Sequence, residues 1–312
     1  DDTPTIVRQY VGRGVELAYQ PERRGKMAAI NRAMAQAGGD IVVFSDANNL
    51  YELDALRRLV RPLADPGVGV VSGAKHIQKS LGSLSDSEGL YWKYESFIKK
   101  QESRLSSCVG AAGEIMAIRR SLYEAPPGHI INDDFYVATQ AIRKGYRAVY
   151  LPEARSFETV SVSAGEEMAR RARIVAGRYQ ALWLAPTLLP FRNPLVIWQL
   201  ISHKFMRPLV PLAMAGALIS NIIGVIWPAP NLPPNALGLA SPINVIFLTS
   251  QLIFYGLAWL GNTIKPKGKL GKLFYLPAFL VNSNLAAIMG LYRFLTKRQT
   301  TLWQRVRRAE PD

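Results

Sequence analysis

Two periodicities divide the chain. Over residues 1–160 short apolar runs alternate with helical patterns. Asp1-Asp2-Thr3-Pro4 reads as a cap and first turn, and Ile6, Val7 and Tyr10 give the following segment an apolar face, which predicts a helix over 3–11. A strand is expected near Val15–Tyr19, and an Ala-rich helix over Gly25–Ala37. Gly38-Gly39-Asp40 then turns into Ile41–Phe44, a continuous apolar run suited to a strand buried on both faces. Further helices are predicted over Asp54–Leu63, Leu84–Leu105 and Asp133–Lys144, the last with Gly145 as its C-terminal cap. Further strands are predicted over Gly67–Ser72, Ile115–Arg119 and Ala148–Leu151. This alternation argues for an α/β domain built on a mostly parallel sheet. Ligands of such sheets bind beyond the carboxyl ends of the strands, which is where Asp46 and Asn48 fall.

Beyond residue 180 the pattern changes. Pro208–Trp227 and Pro242–Ile264 are free of charge, and each is long enough to cross roughly 30 Å of hydrocarbon. A third apolar segment, Phe274–Leu291, contains Pro277 and Asn282-Ser283-Asn284 and reads as spanning, re-entrant or interfacial. Asn193–Phe205 mixes apolar residues with Trp198 and Lys204, as an interfacial helix does. The expected organisation is an α/β domain over 1–180, an interfacial linker over 181–206, a membrane region over 207–295 and a basic tail over 296–312. Because the chain starts on a helix cap, a preceding N-terminal part is expected.

Charge sharpens this division. The net charge is +15, but 13 of the 38 Lys and Arg residues lie in residues 192–312, which hold only two of the 23 Asp and Glu residues. The excess flanks apolar segments, where basic residues mark the cytoplasmic side. A nucleic-acid binder would carry it on a soluble face instead, so no nucleic-acid partner is expected. The α/β domain and the loop of Lys265, Lys267, Lys269 and Lys272 are expected in the cytoplasm, with the link over 228–241 outside. The single cysteine, Cys108, excludes an internal disulfide. His76, His129 and His203 are scattered without zinc-ligand spacing.

Four groups of residues can carry chemistry. Asp46 and Asn48 stand on alternate positions past a strand, where two oxygen ligands can hold Mg2+ or Mn2+ against a diphosphate; a polar strand end with Asn turn chemistry is the plain alternative. Asp133 and Asp134 open a helix, so one can cap it while the other serves as a general base. Arg170, Arg171 and Arg173 share a helical stretch with Glu166 and Glu167. They form either a solvated face of ion pairs between neighbouring turns or a clamp for a departing diphosphate. Lys26 can reach phosphate from Gly25–Asn31, and Gly110-Ala111-Ala112-Gly113-Glu114 is either a plain turn or the floor under a sugar ring.

Each group is weak alone, but their order is not. The blocks RGKMAAINRAMAQAGGDIVVFSDAN, VGAAGEIMAIRRSLY and NDDFYVATQAIRKGYRAVYLPEA, followed by a basic helix and membrane segments, resemble the membrane-bound glycosyltransferases of family 2, the group of cellulose, hyaluronan and poly-N-acetylglucosamine synthases. The resemblance implies a GT-A fold, Rossmann-like, and inverting transfer of sugar from a nucleotide sugar to a hydroxyl at the cytoplasmic membrane face. It places Asp46 and Asn48 in the metal motif, Asp134 as general base after Asp133, and Arg173 at the arginine of the Gln-x-x-Arg-Trp element. It makes Lys26, Asn31, Gly113, Glu114, Asp133, Arg170 and Arg171 substrate-side residues. The implied partners are a nucleotide-sugar donor, a carbohydrate or lipid acceptor and membrane lipid. The chain departs from the pattern at Asn48, where a neutral ligand replaces an aspartate, and at Arg170 and Ile174, which stand for Gln and Trp. The rival readings are a lipid-acceptor transferase and a non-catalytic membrane subunit that binds nucleotide sugar or polymer.

Overall fold

The computed structural model describes residues 2–22, 24–77, 83–158, 164–227, 241–264 and 268–299. Most of the link over 228–241, Lys265 and Lys267 of the basic loop, and the tail from residue 300 lie outside them. The elements follow in the order α1 (Thr3–Arg8), α2 (Lys26–Gln36), β1 (Ile41–Ser45), β2 (Leu50–Tyr51), α3 (Ala55–Val60), β3 (Val68–Ile77), α4 (Ser83–Leu105), β4 (Ile115–Arg119), α5 (Asp133–Arg143), β5 (Arg147–Glu158) and α6 (Ala164–Trp183). Then come α7 (Ala185–Leu188), α8 (Pro194–Leu200), α9 (Val210–Ile226), α10 (Ile243–Ile264) and α11 (Gly268–Leu295).

The five strands form one sheet in the order β1-β4-β3-β5-β2. It is mixed rather than mostly parallel: only β3 and β5 pair in parallel, and the other three pairings are antiparallel. The reason is an insertion. β1, β3 and β5 all run the same way, as helical crossovers require, but β4 slots between β1 and β3 in the opposite sense. Hydrophobic periodicity reports burial and not direction, so nothing in Ile115–Arg119 marks the reversal.

Alternation along β4 shows why its run is apolar throughout. Met116 and Ile118 face a core shared with Val70, Val137, Ile142, Val196 and Leu200, while Ile115 and Ala117 face a second core with Leu59, Leu63 and Val71. Side chains like Ile115, Ile118 and Met116, almost wholly buried, contribute about 1.5–3 kcal/mol each. Val68 and Val70 fall on opposite faces because a register shift separates them. The helix α5 ends where expected: Gly145 takes φ 94, a left-handed conformation that favours glycine.

A further sequence expectation needs correction here. No strand forms over Val15–Tyr19. Val15 makes only an isolated bridge to Val11, and its exposed side chain finds no ladder partner among the described residues. Within the segment read as an interfacial linker, Val196 and Leu200 are fully buried in the domain's main core.

Among the described residues, three helical stretches are long and apolar enough to cross a membrane: Pro194–Ile226, Ile243–Ile264 and Leu273–Leu295. The first passes through a π turn at Ile201–Phe205 and a 3-10 turn at Arg207–Leu209. α11 is continuous through Pro277 and does not turn back on itself. Its contacts are divided. Gly261 of α10 would place a Cβ against Phe274 and Ala278, whereas Gly290 abuts Ala172, Val175 and Ala176 of α6.

Candidate active site

The sheet brings the chemistry to one end. β1, β3 and β5 deliver Asp46, Lys75 and Glu158 from their carboxyl ends, and antiparallel β4 presents Gly113 and Glu114 just before its amino end. These residues interlock. Asn48 Nδ2 donates to Glu158 Oε1 at 3.0 Å, Lys75 pairs with Glu158, and Lys75 lies 3.7 Å from the Glu114 carboxylate. The backbone carbonyl of Glu114 accepts from Tyr51 Oη at 2.7 Å and from Asn49 Nδ2 at 3.2 Å.

Lys26 joins the two acidic motifs. Its ammonium stands 3.3 Å from Asp46 Oδ1 and 3.5 Å from Asp133 Oδ2. Burial alone would depress its pKa, but Asp133 and Asp46 outweigh that and hold it above the usual lysine value. Asn31, one helical turn and more along α2, is set back from the carboxylates: it accepts from Tyr123 Oη at 2.7 Å. The Tyr123 hydroxyl is pushed up to about 12, first by burial and then by the negative charge of Asp133.

Asp134 is tightly placed. Its Oδ2 accepts from Gly113 N at 3.2 Å and its Oδ1 from Phe135 N at 2.7 Å. Gly113 permits this approach, since a Cβ there would lie 2.9 Å from Asp134 Cβ. Burial raises the Asp134 pKa above the carboxylate range and the neighbouring Asp133 raises it further, while Lys26 and the Phe135 N–H oppose. A carboxylate with a raised pKa and exact backbone support is well suited to take a proton.

The three arginines part company. Arg170 and Arg171 both fold over Glu167, at 2.8 and 2.6 Å, in the spacing of neighbouring helical turns. Arg171 also donates to Ser283 Oγ at 2.9 Å and stacks on Phe279, so it faces α11. Arg173 instead turns inward. It is 8% exposed, donates to the Ile131 carbonyl at 3.2 Å and lies in the fields of Asp133 and Asp134. It holds the turn that aims the acidic pair.

Sequence reasoning missed Lys75, Glu158, Tyr51 and Tyr123. Lys75 and Glu158 had a signal, as charged residues near the ends of apolar strands; the two tyrosines had none. Asp46 and Asn48 offer a carboxylate and an amide oxygen to a metal. The amide nitrogen of Asn48 is committed to Glu158, which leaves its oxygen as the ligand. No group of three His, Cys, Asp or Glu residues spaced to hold a metal occurs among the described residues. The pair therefore does not form a metal cage by itself; a divalent ion held there would need further oxygen ligands, such as those of a diphosphate.

Residues 1–125 match the family model described as glycosyl transferase family 2. An N-acetylglucosaminyltransferase of Rhizobium meliloti (strain 1021) is 23% identical over 235 residues, covering 70% of this chain and 54% of that protein. A poly-beta-1,6-N-acetyl-D-glucosamine synthase of Staphylococcus aureus (strain COL) is 26% identical over 168 residues, covering 52% of this chain and 40% of that protein. The chain spans about half the length of the curated relatives it matches. Among solved structures, a mannosyltransferase from Pyrobaculum calidifontis in complex with GDP-Man and Mn2+ superposes with a TM-score of 0.66 at 24% identity, over 96% of this chain and 75% of that one. That likeness establishes the GT-A fold.

Proposed function

We propose that this chain, whose residues 1–125 match the glycosyl transferase family 2 model, is a member of that family and moves a sugar from a nucleotide-diphosphate sugar to a hydroxyl acceptor with inversion, at the cytoplasmic face of a membrane. The acceptor hydroxyl attacks the anomeric carbon and passes its proton to Asp134, while the bond to the diphosphate breaks and the nucleoside diphosphate departs. The observation that carries this reading is the Asp134 carboxylate, held by the Gly113 and Phe135 amides at the sheet end that also holds Asp46. Lys26 is the cation within reach of a donor phosphate, and Arg173 positions the acidic pair from behind. Asp46 and Asn48 would hold Mg2+ or Mn2+, which neutralises charge growing on the leaving diphosphate when bound. The carbohydrate-forming relatives support a carbohydrate acceptor.

Membrane placement is read from α6. This helix carries Arg170, Arg171, Arg173 and Arg178 and stays outside the hydrocarbon. The second half of α11 packs along it through Ala287, Leu291 and Phe294, which supports an interfacial α11 with α9 and α10 as the crossing helices.

The test is nucleoside-diphosphate release in membranes with divalent ion, over a donor panel led by N-acetylglucosamine and mannose nucleotides. Release with one donor, lost in Asp134→Asn at unchanged thermal stability, is expected. Undiminished release in that variant would overturn the base assignment, and none with any donor would return the chain to the binding-subunit reading.

A further inference from the structure

Glu158 is a buried carboxylate that the chemistry above does not use. It closes β5, where the register sets Phe157 opposite Leu50 and Glu158 opposite Ile77. That places it against the loop of Asp46 and Asn48 and beside Lys75 of β3. Lys75 and Glu158 form an ion pair in which each side chain is only 8% exposed. The lysine is itself held in place, with its ammonium 3.7 Å from the Glu114 carboxylate and 5.3 Å from the Trp92 ring. Lys75 pairs with Oε2 of Glu158, and the other carboxylate oxygen, Oε1, accepts from Asn48 Nδ2 at 3.0 Å.

This contact decides what Asn48 can offer. An amide presents an oxygen that accepts and a nitrogen that donates, and a turn of the terminal group exchanges them. A carboxylate only accepts, so Glu158 keeps the nitrogen on its own side and leaves Oδ1 as the ligand. Divalent ions of the Mg2+ type take oxygen ligands, and only this orientation supplies a second oxygen beside Asp46. An aspartate at 48 would instead bring two carboxylate oxygens to the 3.0 Å of the present contact, where like charges repel. Lys75 already serves Glu158 and Glu114 and does not offset a third carboxylate.

We propose that Glu158, held by Lys75, is a positioning residue that fixes the Asn48 amide with its oxygen toward the metal, and that asparagine stands at 48 because Glu158 repels an aspartate there. The reading rests on the transferase function above and adds what orients one ligand of its divalent ion. It predicts that restoring a charged ligand by Asn48→Asp weakens the metal site, and that only a matching change at Glu158 repairs it.

The test measures Mn2+ bound by the full chain in detergent, with UDP and with GDP, from the loss of the free-ion electron paramagnetic resonance signal. Glu158→Gln leaves one acceptor oxygen for both Lys75 and Asn48, so the Asn48 amide is no longer fixed. It is expected to weaken Mn2+ binding by about 10- to 100-fold, the range for residues that orient metal ligands. Asn48→Asp is expected to weaken it as well. With both substitutions the new glutamine oxygen takes Lys75 and its nitrogen donates to the new carboxylate. That double variant should bind Mn2+ about tenfold more tightly than either single variant, as coupled neighbours do. Tighter or unchanged binding in Asn48→Asp would overturn the proposal, and so would a double variant no better than Glu158→Gln, the result of a purely structural Glu158. If the unaltered chain binds no Mn2+ with either nucleotide, the transferase reading is what fails. The pairing is then decided by the ligand-free melting temperature, which Asn48→Asp should lower by about 2–4 °C and the double variant should regain; no shift in Asn48→Asp would overturn it.

Discussion

With Asp134 as the proposed base, its titration would set the pH dependence of the reaction. The acting form would be the carboxylate, and burial and Asp133 both favour its protonated form. Activity therefore falls as pH drops through a pKa above the ordinary aspartate value of about 3.9. Asp133→Asn removes one of the two causes and frees Lys26 to act more strongly on Asp134, so the acid limb of kcat/KM should move to lower pH. A limb that stays in place or rises would refute this coupling. Gly113→Ala tests position instead. The new Cβ would crowd Asp134 Cβ at 2.9 Å, and displacement of a base by a fraction of an ångström to one ångström lowers kcat by about 100-fold. The donor KM should change little, which steady-state kinetics would show. At this scale the sequence carried Asp46, Asp133 and Asp134 because each sits at a recognisable element end. It did not carry Glu158, Lys75 or Tyr51, whose roles depend on contacts between residues as far apart as Asn48 and Glu158. Nor did it separate Arg173 from Arg170 and Arg171. All three lie on one helix, and only packing against α5 and α11 decides which way each turns.

Among elements, α6 is the joint between chemistry and membrane. One side holds the acidic turn through Arg173 to Ile131 and through the Asn132 amide to the Ile174 carbonyl at 3.0 Å. The other receives α11, where Gly290 allows the helices to meet: a Cβ there would lie 2.7 Å from the Ala172 carbonyl oxygen. Gly290→Val should cost about 1–3 kcal/mol by overpacking and also reduce transfer, because the shifted α6 carries Arg173 with it. A variant with lowered melting temperature and full turnover would show that the two faces of α6 are independent. Most helices and strands of the domain were legible from periodicity, since each buries a stripe or both faces, but β3 and β5 run on to Ile77 and Glu158, past the apolar runs that announced them, and the short β2 was not legible. The sense of β4 was not legible, because reversing a strand leaves its pattern of buried positions unchanged. The same limit explains Val15–Tyr19, where a strand-like composition has no neighbour to complete a ladder.

For the whole molecule the decisive quantity is the side on which α11 ends. Three simple crossings would put its end opposite the catalytic domain, against the basic residues that follow it. An interfacial α11 puts Lys267 and Lys297 on the domain's side, and leaves α9 and α10 as a hairpin whose link faces outward. This is the arrangement we propose, on the charge pattern and the packing of α11 on a charged helix. Cys108 is buried and stays silent to a membrane-impermeant maleimide, so single cysteines can be introduced without removing it. In intact cells Asn235→Cys should be labelled, whereas Lys267→Cys and Lys297→Cys should react only after permeabilisation. Labelling of Lys297→Cys without permeabilisation would make α11 a third crossing helix. It would then have to leave α6, and Arg171 could keep neither Ser283 nor Phe279. The location of one side chain thus reports whether the active-site helix rests on the membrane surface through α11.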